Sequence, residues 1–124
     1  MSRYSASCLC GNVKLKISGK PKFPHLCSCS MCRRSSGAPT VAWADFEGSS
    51  IEWVGRGRPK YFQSSDRTKR GFCPKCGCLI CAEDKDRTAV SITLGCLDDP
   101  ELIVPGKTHS FQSNAPSWWH ISVG

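Results

Sequence analysis

Cysteine spacing constrains this chain more than any other feature of its sequence. The sequence of 124 residues contains ten cysteines, and most of them stand in three short clusters. A chain of this length buries only about two-thirds of its extended surface, so its hydrophobic core is small. Small domains of this kind gain the missing stability from disulfides or from bound metal. The spacing of the cysteines has to decide between the two.

The expected redox compartment favours metal. The N-terminal stretch from Met1 to Ser7 contains no apolar segment of the kind that marks a secretory leader. No run approaches the roughly 18 apolar residues of a membrane-spanning helix. We therefore expect a cytoplasmic protein without a membrane partner. Thiols stay reduced in the cytosol, where closely spaced cysteines more often bind metal than form disulfides.

Two of the clusters together predict a closed metal site. They read Cys8-Leu9-Cys10-Gly11 and Cys73-Pro74-Lys75-Cys76-Gly77. Two sulfurs around a tight turn can grip one ion, and the glycine that follows allows the left-handed backbone such a turn needs. Four thiolates would complete a tetrahedron and indicate a structural zinc. The alternatives are buried free cysteines, or a register in which Cys78 and Cys81 replace Cys73 and Cys76.

The middle cluster predicts a metal site with an open position. Cys27, Cys29 and Cys32 supply three thiolates, because Cys27 and Cys29 project to the same side of an extended segment and Cys32 can turn back toward them. Zinc with three protein ligands keeps a fourth position for water or substrate, which is typical of catalytic sites. The alternative is a second structural site closed by a fourth ligand. Cys78, Cys81 and His25 are candidates for this ligand, and Cys96 could line the same cleft.

The sequence pattern predicts a mainly β fold. Short β-type runs alternate with clusters of Gly, Pro, Ser and Asp, and no long helical stripe is present. A single helical turn is expected over Ser30–Ser36, with Ser30 as N-cap and Gly37 as terminator. No linker or repeat divides the chain, so we expect one zinc-binding domain over residues 1–124. The predicted strands are Tyr4–Cys8, Asn12–Ile17, Thr40–Asp45, Ser50–Val54, Lys60–Gln63, Thr68–Phe72, Leu79–Glu83, Ala89–Leu94 and Lys107–Phe111.

The ordered motifs resemble those of one protein family over nearly the whole chain. They are Cys8-x-Cys10-Gly11, Cys27-x-Cys29-x-x-Cys32-Arg33-x-x-Ser36-Gly37-Ala38, Phe72-Cys73-x-x-Cys76-Gly77, Leu97-Asp98-Asp99-Pro100 and His109. This set resembles the glutathione-dependent formaldehyde-activating enzyme and centromere protein V family. Ser28 stands where that family often has histidine, and Cys78, Cys81 and Cys96 lie outside its ligand set.

The resemblance implies a fold, metals and an activity. The implied fold has several small antiparallel sheets folded over a structural zinc, like the mammalian suppressor-of-Sec exchange factor. The family assigns two zinc ions per chain, one held by Cys8, Cys10, Cys73 and Cys76, and one held by Cys27, Cys29 and Cys32. Its named activity joins glutathione to formaldehyde as S-(hydroxymethyl)glutathione, a carbon–sulfur lyase reaction run in reverse.

Charge is compatible with more than one partner. The formal net charge of +7 falls to roughly +4 once seven thiolates and two zinc ions are included. In an enzyme, Cys27, Cys29 and Cys32 would be catalytic, and Arg33 and Arg34, with Lys69 and Arg70 as further candidates, would hold carboxylates of glutathione. His109 is a candidate for acid–base chemistry. The alternatives are a zinc-ribbon-like module that binds nucleic acid or protein, which the lack of a basic stripe disfavours, and a redox or metal-buffering protein.

Overall fold

The described residues 3–119 form a mainly β structure, as predicted from the sequence. The computed structural model contains ten strands and one α-helix in this range. Within residues 3–119, no helical segment combines the length and the hydrophobicity that crossing a bilayer requires. The elements are β1 Tyr4–Ser7, β2 Lys14–Ile17, β3 Lys22–Cys27, α1 Ser30–Ser36, β4 Val41–Glu47, β5 Ile51–Trp53, β6 Lys60–Gln63, β7 Thr68–Phe72, β8 Leu79–Asp84, β9 Ala89–Thr93 and β10 His109–Ser110.

The strands form two sheets of unequal size. A three-stranded sheet has the order β1-β2-β5, and a seven-stranded sheet has the order β10-β3-β4-β9-β8-β7-β6. All pairs are antiparallel except β10 with β3, which run parallel. The larger sheet brings β3, β4, β7, β8 and β9 side by side, and these strands surround the middle cysteine cluster.

The sequence pattern missed β3 and overextended β10. In β3, Phe23 has a left-handed backbone with φ of 49° and precedes Pro24, so this stretch lacks a regular strand signal. The pairing of β3 with β4 shifts register between Lys22 and His25, which accommodates this irregularity. At the other end of the chain, Phe111 has φ of 55° and ends β10 at Ser110.

The core lies between the two sheets. Strand β2 alternates exposed lysines with the buried Leu15 and Ile17, as expected for a strand with one solvated face. These side chains belong to the same buried cluster as Phe46 of β4, Ile80 of β8 and Ile92 of β9. Each such side chain contributes about 1.5–3 kcal/mol through burial. The cluster holds the sheets together, and the cysteine-bearing turns sit at its margins.

Helix α1 begins and ends as short helices commonly do. Its bounds agree with the prediction, but its N-cap is Cys29 rather than Ser30. The Cys29 sulfur accepts a hydrogen bond from the backbone N–H of Cys32 at 3.3 Å. Gly37 has φ of 74° and its N–H closes the last turn onto the Arg33 carbonyl at 2.7 Å. The cap ties two members of the middle cluster together.

Candidate metal centres

Cys8, Cys10, Cys73 and Cys76 converge on one point. Cys8 follows β1 directly, and Cys73 follows β7, so the two turns come from different sheets. All four sulfurs lie within 4.8 Å of one another. The Cys8–Cys10 and Cys10–Cys73 sulfur distances are 3.7 and 3.8 Å. A tetrahedron with metal–sulfur bonds of about 2.3 Å has edges of about 3.8 Å, so this donor set fits zinc.

Backbone amides prepare these sulfurs to carry negative charge. The N–H of Val13 lies 3.3 Å from the Cys8 sulfur, and the N–H of Cys76 lies 3.4 Å from the Cys73 sulfur. Burial opposes ionisation of Cys73, but N–H groups of Cys76 and Lys75 outweigh it and lower the pKa of the thiol. Gly77, with φ of 78°, donates its N–H to the Cys73 carbonyl at 2.8 Å and closes the turn. A side chain at this φ would be strained.

The structure does not adopt the alternative register. Cys78 and Cys81 stand outside the four-sulfur group. Cys81 is buried in the core beside Tyr61, and burial raises the pKa of its thiol to about 12. The Cys78 sulfur lies 3.5 Å from that of Cys96. Burial and the neighbouring Cys96 raise the pKa of Cys78 to about 12.

Cys27, Cys29 and Cys32 form the second cluster. Cys27 ends β3, Cys29 caps α1, and Cys32 lies in the first turn of that helix. Their sulfurs all lie within 4.8 Å of one another, and no fourth ligand from residues 3–119 joins them. Of the predicted fourth ligands, Cys78 and Cys81 are not part of this group, and neither is His25, whose ring nitrogen contacts the Phe23 carbonyl at 2.7 Å. Cys96, the candidate for lining the same cleft, lines a different cavity. Over the described residues, the donor set therefore has three members.

A cavity of about 200 Å³ opens in front of this cluster. Cysteine, aromatic and charged side chains line it, which is a suitable arrangement for a small polar ligand. The lining residues are Phe23, His25, Cys27, Cys29, Cys32, Trp43, Asp45, Thr68, Arg70, Ala82, Asp84, Arg87 and Ser91.

Arg70 links the cavity to the sulfurs. This side chain is buried, and its two terminal nitrogens lie 3.7 and 3.8 Å from the Cys32 sulfur. It also contacts Ser64 and Ser35, and its guanidinium lies 5.7 Å from the centre of the Trp43 ring. Among residues 3–119 no carboxylate forms an ion pair with it. A buried cation without a carboxylate is costly, so the cysteine sulfurs are its natural counter-charge.

Within this cluster, the pKa of Cys32 is lowered and that of Cys27 is raised. A hydrogen bond from Cys27 lowers the pKa of Cys32 to about 5, and Cys29 and the charge of Arg70 act in the same direction against burial. The pKa of Cys27 is raised, because its proton bonds to the Cys32 sulfur and because the thiol is buried. Within the cluster, the hydrogen bond from Cys27 and the charge of Arg70 therefore favour the thiolate at Cys32.

Arg33 and Arg34 do not line this cavity. Arg33 donates from Nε to the Ser28 carbonyl at 3.3 Å and so supports the backbone between the cysteines. Arg34 is exposed and lines a neighbouring cavity of about 290 Å³, in which Arg70 also takes part. Their role in binding a cofactor or substrate stays a prediction, and the guanidinium groups that line the cavity are those of Arg70 and Arg87.

Sequence reasoning overlooked Asp45 and Arg87. Asp45 is buried within the apolar strand β4, where it accepts hydrogen bonds from Ser91 at 2.6 Å and from Arg87 at 3.1 Å. A carboxylate inside a run of buried side chains is a recognisable signal, since such a group needs partners. Its partners come from β9 and the turn before it, and they could not be identified without the sheet order.

His109 contacts the chain segment that carries the middle cluster. Its Nε2 atom lies 2.7 Å from the Ser28 hydroxyl, which is completely buried between Cys27 and Cys29. Strand β10 also pairs with β3 through His109 and Leu26. The contact explains how Ser28 is accommodated at this position, and it places His109 against the peptide between two candidate ligands. The predicted acid–base role of His109 stays a prediction.

Comparison with known proteins is consistent with this geometry. The sequence model of the family described as glutathione-dependent formaldehyde-activating enzyme matches residues 3–114. The crystal structure of a Rhodobacter sphaeroides protein, a structural genomics target, matches with a TM-score of 0.63 and 23% sequence identity, covering 86% of this chain and 98% of that chain. At this identity the likeness shows a shared fold. No curated protein matches the sequence. The likeness to the suppressor-of-Sec fold stays a prediction.

Proposed function

Because this chain belongs to the glutathione-dependent formaldehyde-activating enzyme family, we propose that it adds the thiol of glutathione to formaldehyde or to another small electrophile. The product with formaldehyde is S-(hydroxymethyl)glutathione, so the enzyme is a carbon–sulfur lyase working toward synthesis. The observation that carries the proposal is the cluster of three cysteines, which opens on a cavity with a buried arginine at its edge.

The two clusters would hold two zinc ions with different tasks. Cys8, Cys10, Cys73 and Cys76 would bind the structural ion and leave it no free position. Cys27, Cys29 and Cys32 would bind the second ion, which supplies Lewis acidity that lowers the pKa of a bound thiol and so favours the nucleophilic thiolate. The sulfur chemistry of both donor sets suits zinc.

Arg70 balances the charge of the second site. Three thiolates and one divalent ion carry a net charge of −1, and the guanidinium beside Cys32 offsets it. The contact of Arg70 with the Trp43 ring and with Ser64 fixes its position. An additional thiolate would bring one more negative charge, which Arg70 also stabilises. Arg70 therefore favours binding of a substrate as an anion.

The remaining cavity residues suit the ends of a tripeptide. Arg87 lines the cavity, is about half exposed and pairs with Asp45 through one terminal nitrogen, so its remaining donors are available to a carboxylate. Asp84 offers an acceptor for an amino group. Arg70 lines both this cavity and the neighbouring one, and glutathione with its thiol beside the cysteines would extend a carboxylate toward Arg34. Holding sulfur and carbonyl side by side raises their effective concentration.

Chemical-exchange NMR tests the proposal directly. Glutathione and isotope-labelled formaldehyde equilibrate with S-(hydroxymethyl)glutathione, and the exchange rate is measured with and without the zinc-loaded protein. We expect exchange faster than the spontaneous reaction and saturable in glutathione. S-methylglutathione, which has no thiol, should inhibit by occupying the cavity without reacting.

Two variants give this experiment its control. Cys29→Ser removes one of the three sulfurs and should return exchange to the spontaneous rate. Cys81→Ala removes a buried cysteine that belongs to neither cluster and should leave the rate unchanged. Full acceleration by Cys29→Ser, or no acceleration by the zinc-loaded wild type, would contradict the proposal.

A further inference from the structure

A third sulfur site lies outside both candidate metal centres. Cys78 stands in the turn before β8, and Cys96 ends the short 3-10 helix Leu94–Cys96 after β9. Their sulfurs are 3.5 Å apart, and neither belongs to the groups that could hold a metal. Chain segments 18 residues apart thus bring two thiols into contact.

The two thiols share one acceptor. The Cys78 sulfur lies 3.6 Å from the Leu79 carbonyl oxygen, and the Cys96 sulfur lies 3.5 Å from the same atom. Thr93 also donates its hydroxyl to that oxygen at 3.2 Å. If the two thiols lost their protons, the Leu79 carbonyl would keep a hydrogen bond, so no buried acceptor would be left unsatisfied. The shared acceptor holds the sulfurs together in the reduced protein.

The pair is accessible from a large cavity. Both side chains line a cavity of about 530 Å³ whose walls include Leu9, Val41 and Leu79. Each cysteine follows a glycine, and a Cβ atom built on Gly77 or Gly95 meets nothing within 4 Å. The space beside the two glycines is open, and the cavity gives an approaching disulfide access to both cysteines.

Cys81 shows what an inert cysteine looks like in the same protein. It is completely buried, and a Cβ atom on Gly71 would come within 2.5 Å of its sulfur. Its sulfur lies 4.0 Å from the Tyr61 hydroxyl. Packing explains this cysteine. It does not explain Cys78 and Cys96, which are partly exposed on a cavity wall.

We infer that Cys78 and Cys96 form a reversible dithiol–disulfide site whose oxidant is glutathione disulfide. A thiolate of the pair attacks one sulfur of the oxidant and releases one glutathione, which takes up a proton. The second cysteine then attacks the protein sulfur of this mixed disulfide and releases the second glutathione. Two protein thiols are oxidised, and one glutathione disulfide is reduced to two thiols. The sulfurs must approach by about 1.5 Å to reach bonding distance.

A disulfide between Cys78 and Cys96 would restrain the turn that carries two ligands of the four-cysteine centre. The Cys78 carbonyl accepts the N–H of Cys73 at 3.0 Å, so Cys78 closes the turn that carries Cys73 and Cys76. A bond from Cys78 to Cys96 would tie that turn to the end of β9 and narrow the cavity. The oxidised protein should therefore keep its metal. This inference does not depend on the proposed enzymatic activity.

Peptide mapping of the metal-loaded protein tests the inference. The protein is equilibrated with buffers of increasing glutathione disulfide content, free thiols are blocked with iodoacetamide, and the digest is read by mass spectrometry while bound metal is measured. We expect a Cys78–Cys96 disulfide to appear first, with both metals retained and with full reversal by dithiothreitol. The inference is wrong if both cysteines remain alkylated throughout, or if metal is lost before they pair.

Two variants distinguish specific Cys78–Cys96 disulfide formation from unselective oxidation of cysteines. In Cys96→Ser the intramolecular bond cannot form, so we expect Cys78 to retain one glutathione as a mixed disulfide. Cys81→Ala should oxidise as the wild type does. If Cys81→Ala changed the Cys78–Cys96 product, the assignment would be overturned. Should a variant fail to fold, the peptide map of the wild type still decides the matter.

Discussion

The two cysteine clusters differ in the groups that stabilise negative charge on their sulfurs. Cys8, Cys10, Cys73 and Cys76 lie in turns, and backbone N–H groups point at their sulfurs. Cys27, Cys29 and Cys32 lie at a strand end and a helix start, where the backbone N–H of Cys32 points at the Cys29 sulfur and the buried Arg70 guanidinium faces the Cys32 sulfur. The first set has four donors and the second has three. The difference concerns both the number of ligands and the source of positive charge.

This contrast suggests a division of labour. Amides of a turn are fixed when the turn folds, so they suit a site that serves stability. A side-chain cation at the wall of a cavity can interact with whatever enters, so it suits a site that serves chemistry. The four-donor cluster also joins turns of the two sheets, whereas the three-donor cluster belongs to the larger sheet and its helix. Loss of one sulfur should therefore have different consequences in the two places.

The largest expected effect is on folding. We predict that Cys76→Ser lowers the free energy of unfolding by several kcal/mol, since structural zinc sites contribute about 10–16 kcal/mol and the whole protein has only about 5–15 kcal/mol. Cys29→Ser should cost about 1 kcal/mol or less through α1, because serine can cap the helix as Cys29 does. Urea unfolding of the zinc-loaded variants measures both. Equal destabilisation by the two would abolish the distinction between the clusters.

The next effect concerns metal affinity at the three-cysteine site alone. We predict that Arg70→Gln weakens zinc binding there by about 10- to 100-fold, as removal of outer-shell partners does in other sites. Arg70 helps keep the pKa of Cys32 at about 5. The thiolate is thus present above pH 5 and is lost as the pH falls through this value. Without the guanidinium this loss should occur at higher pH. Chelator competition at several pH values measures the shift.

Arg70→Lys is the matched variant for that measurement. Lysine keeps the positive charge but not the planar fork that spans Cys32, Ser35 and Ser64. Its zinc affinity should therefore lie between those of the wild type and Arg70→Gln. Affinity at the four-cysteine site should stay constant in both variants. A parallel loss at the two sites would mean that Arg70 acts through overall stability.

Local features of the sequence predicted both clusters and the helix. Ligand spacing is local within each motif, and Gly37 is a typical C-terminal residue for the helix Ser30–Ser36, although Cys29 takes the N-cap position predicted for Ser30. The cavity could not be predicted in this way, because its residues come from five strands, helix α1 and adjoining turns. Arg70, for example, is opposite Ala82 only because β7 pairs with β8 in a particular register. Strand β3 escaped detection because Phe23 and Pro24 interrupt its periodicity.

The buried polar residues illustrate the same limit. Asp45 looks misplaced in an apolar strand until Ser91 and Arg87 are brought beside it by the pairing of β4 with β9. In the sequence, Ser28 is only a departure from the family pattern. In the structure, its hydroxyl contacts the ring of His109, which is 81 residues away in sequence. Both pairs depend on long-range pairing, for which a single sequence carries little signal.

The smallest expected effect tests the tie between Ser28 and His109. We predict that Ser28→Ala lowers the free energy of unfolding by about 1 kcal/mol, because one buried hydrogen bond is lost. The backbone bond from the Ser28 N–H to the Ser110 carbonyl, at 3.0 Å, is available to alanine as well, so β10 should stay paired with β3. Urea unfolding of Ser28→Ala, His109→Ala and the double variant gives the coupling energy.

The double-mutant cycle distinguishes a specific tie from simple packing. If the hydroxyl and the imidazole stabilise each other, the double variant should lose less stability than the sum of the single variants, by about 0.5 kcal/mol or more. Zinc affinity at Cys27, Cys29 and Cys32 should fall to the same extent in the single and the double variants, since either change frees the peptide between Cys27 and Cys29. Strictly additive losses would instead assign the three-cysteine geometry to helix α1 and strand β3 alone.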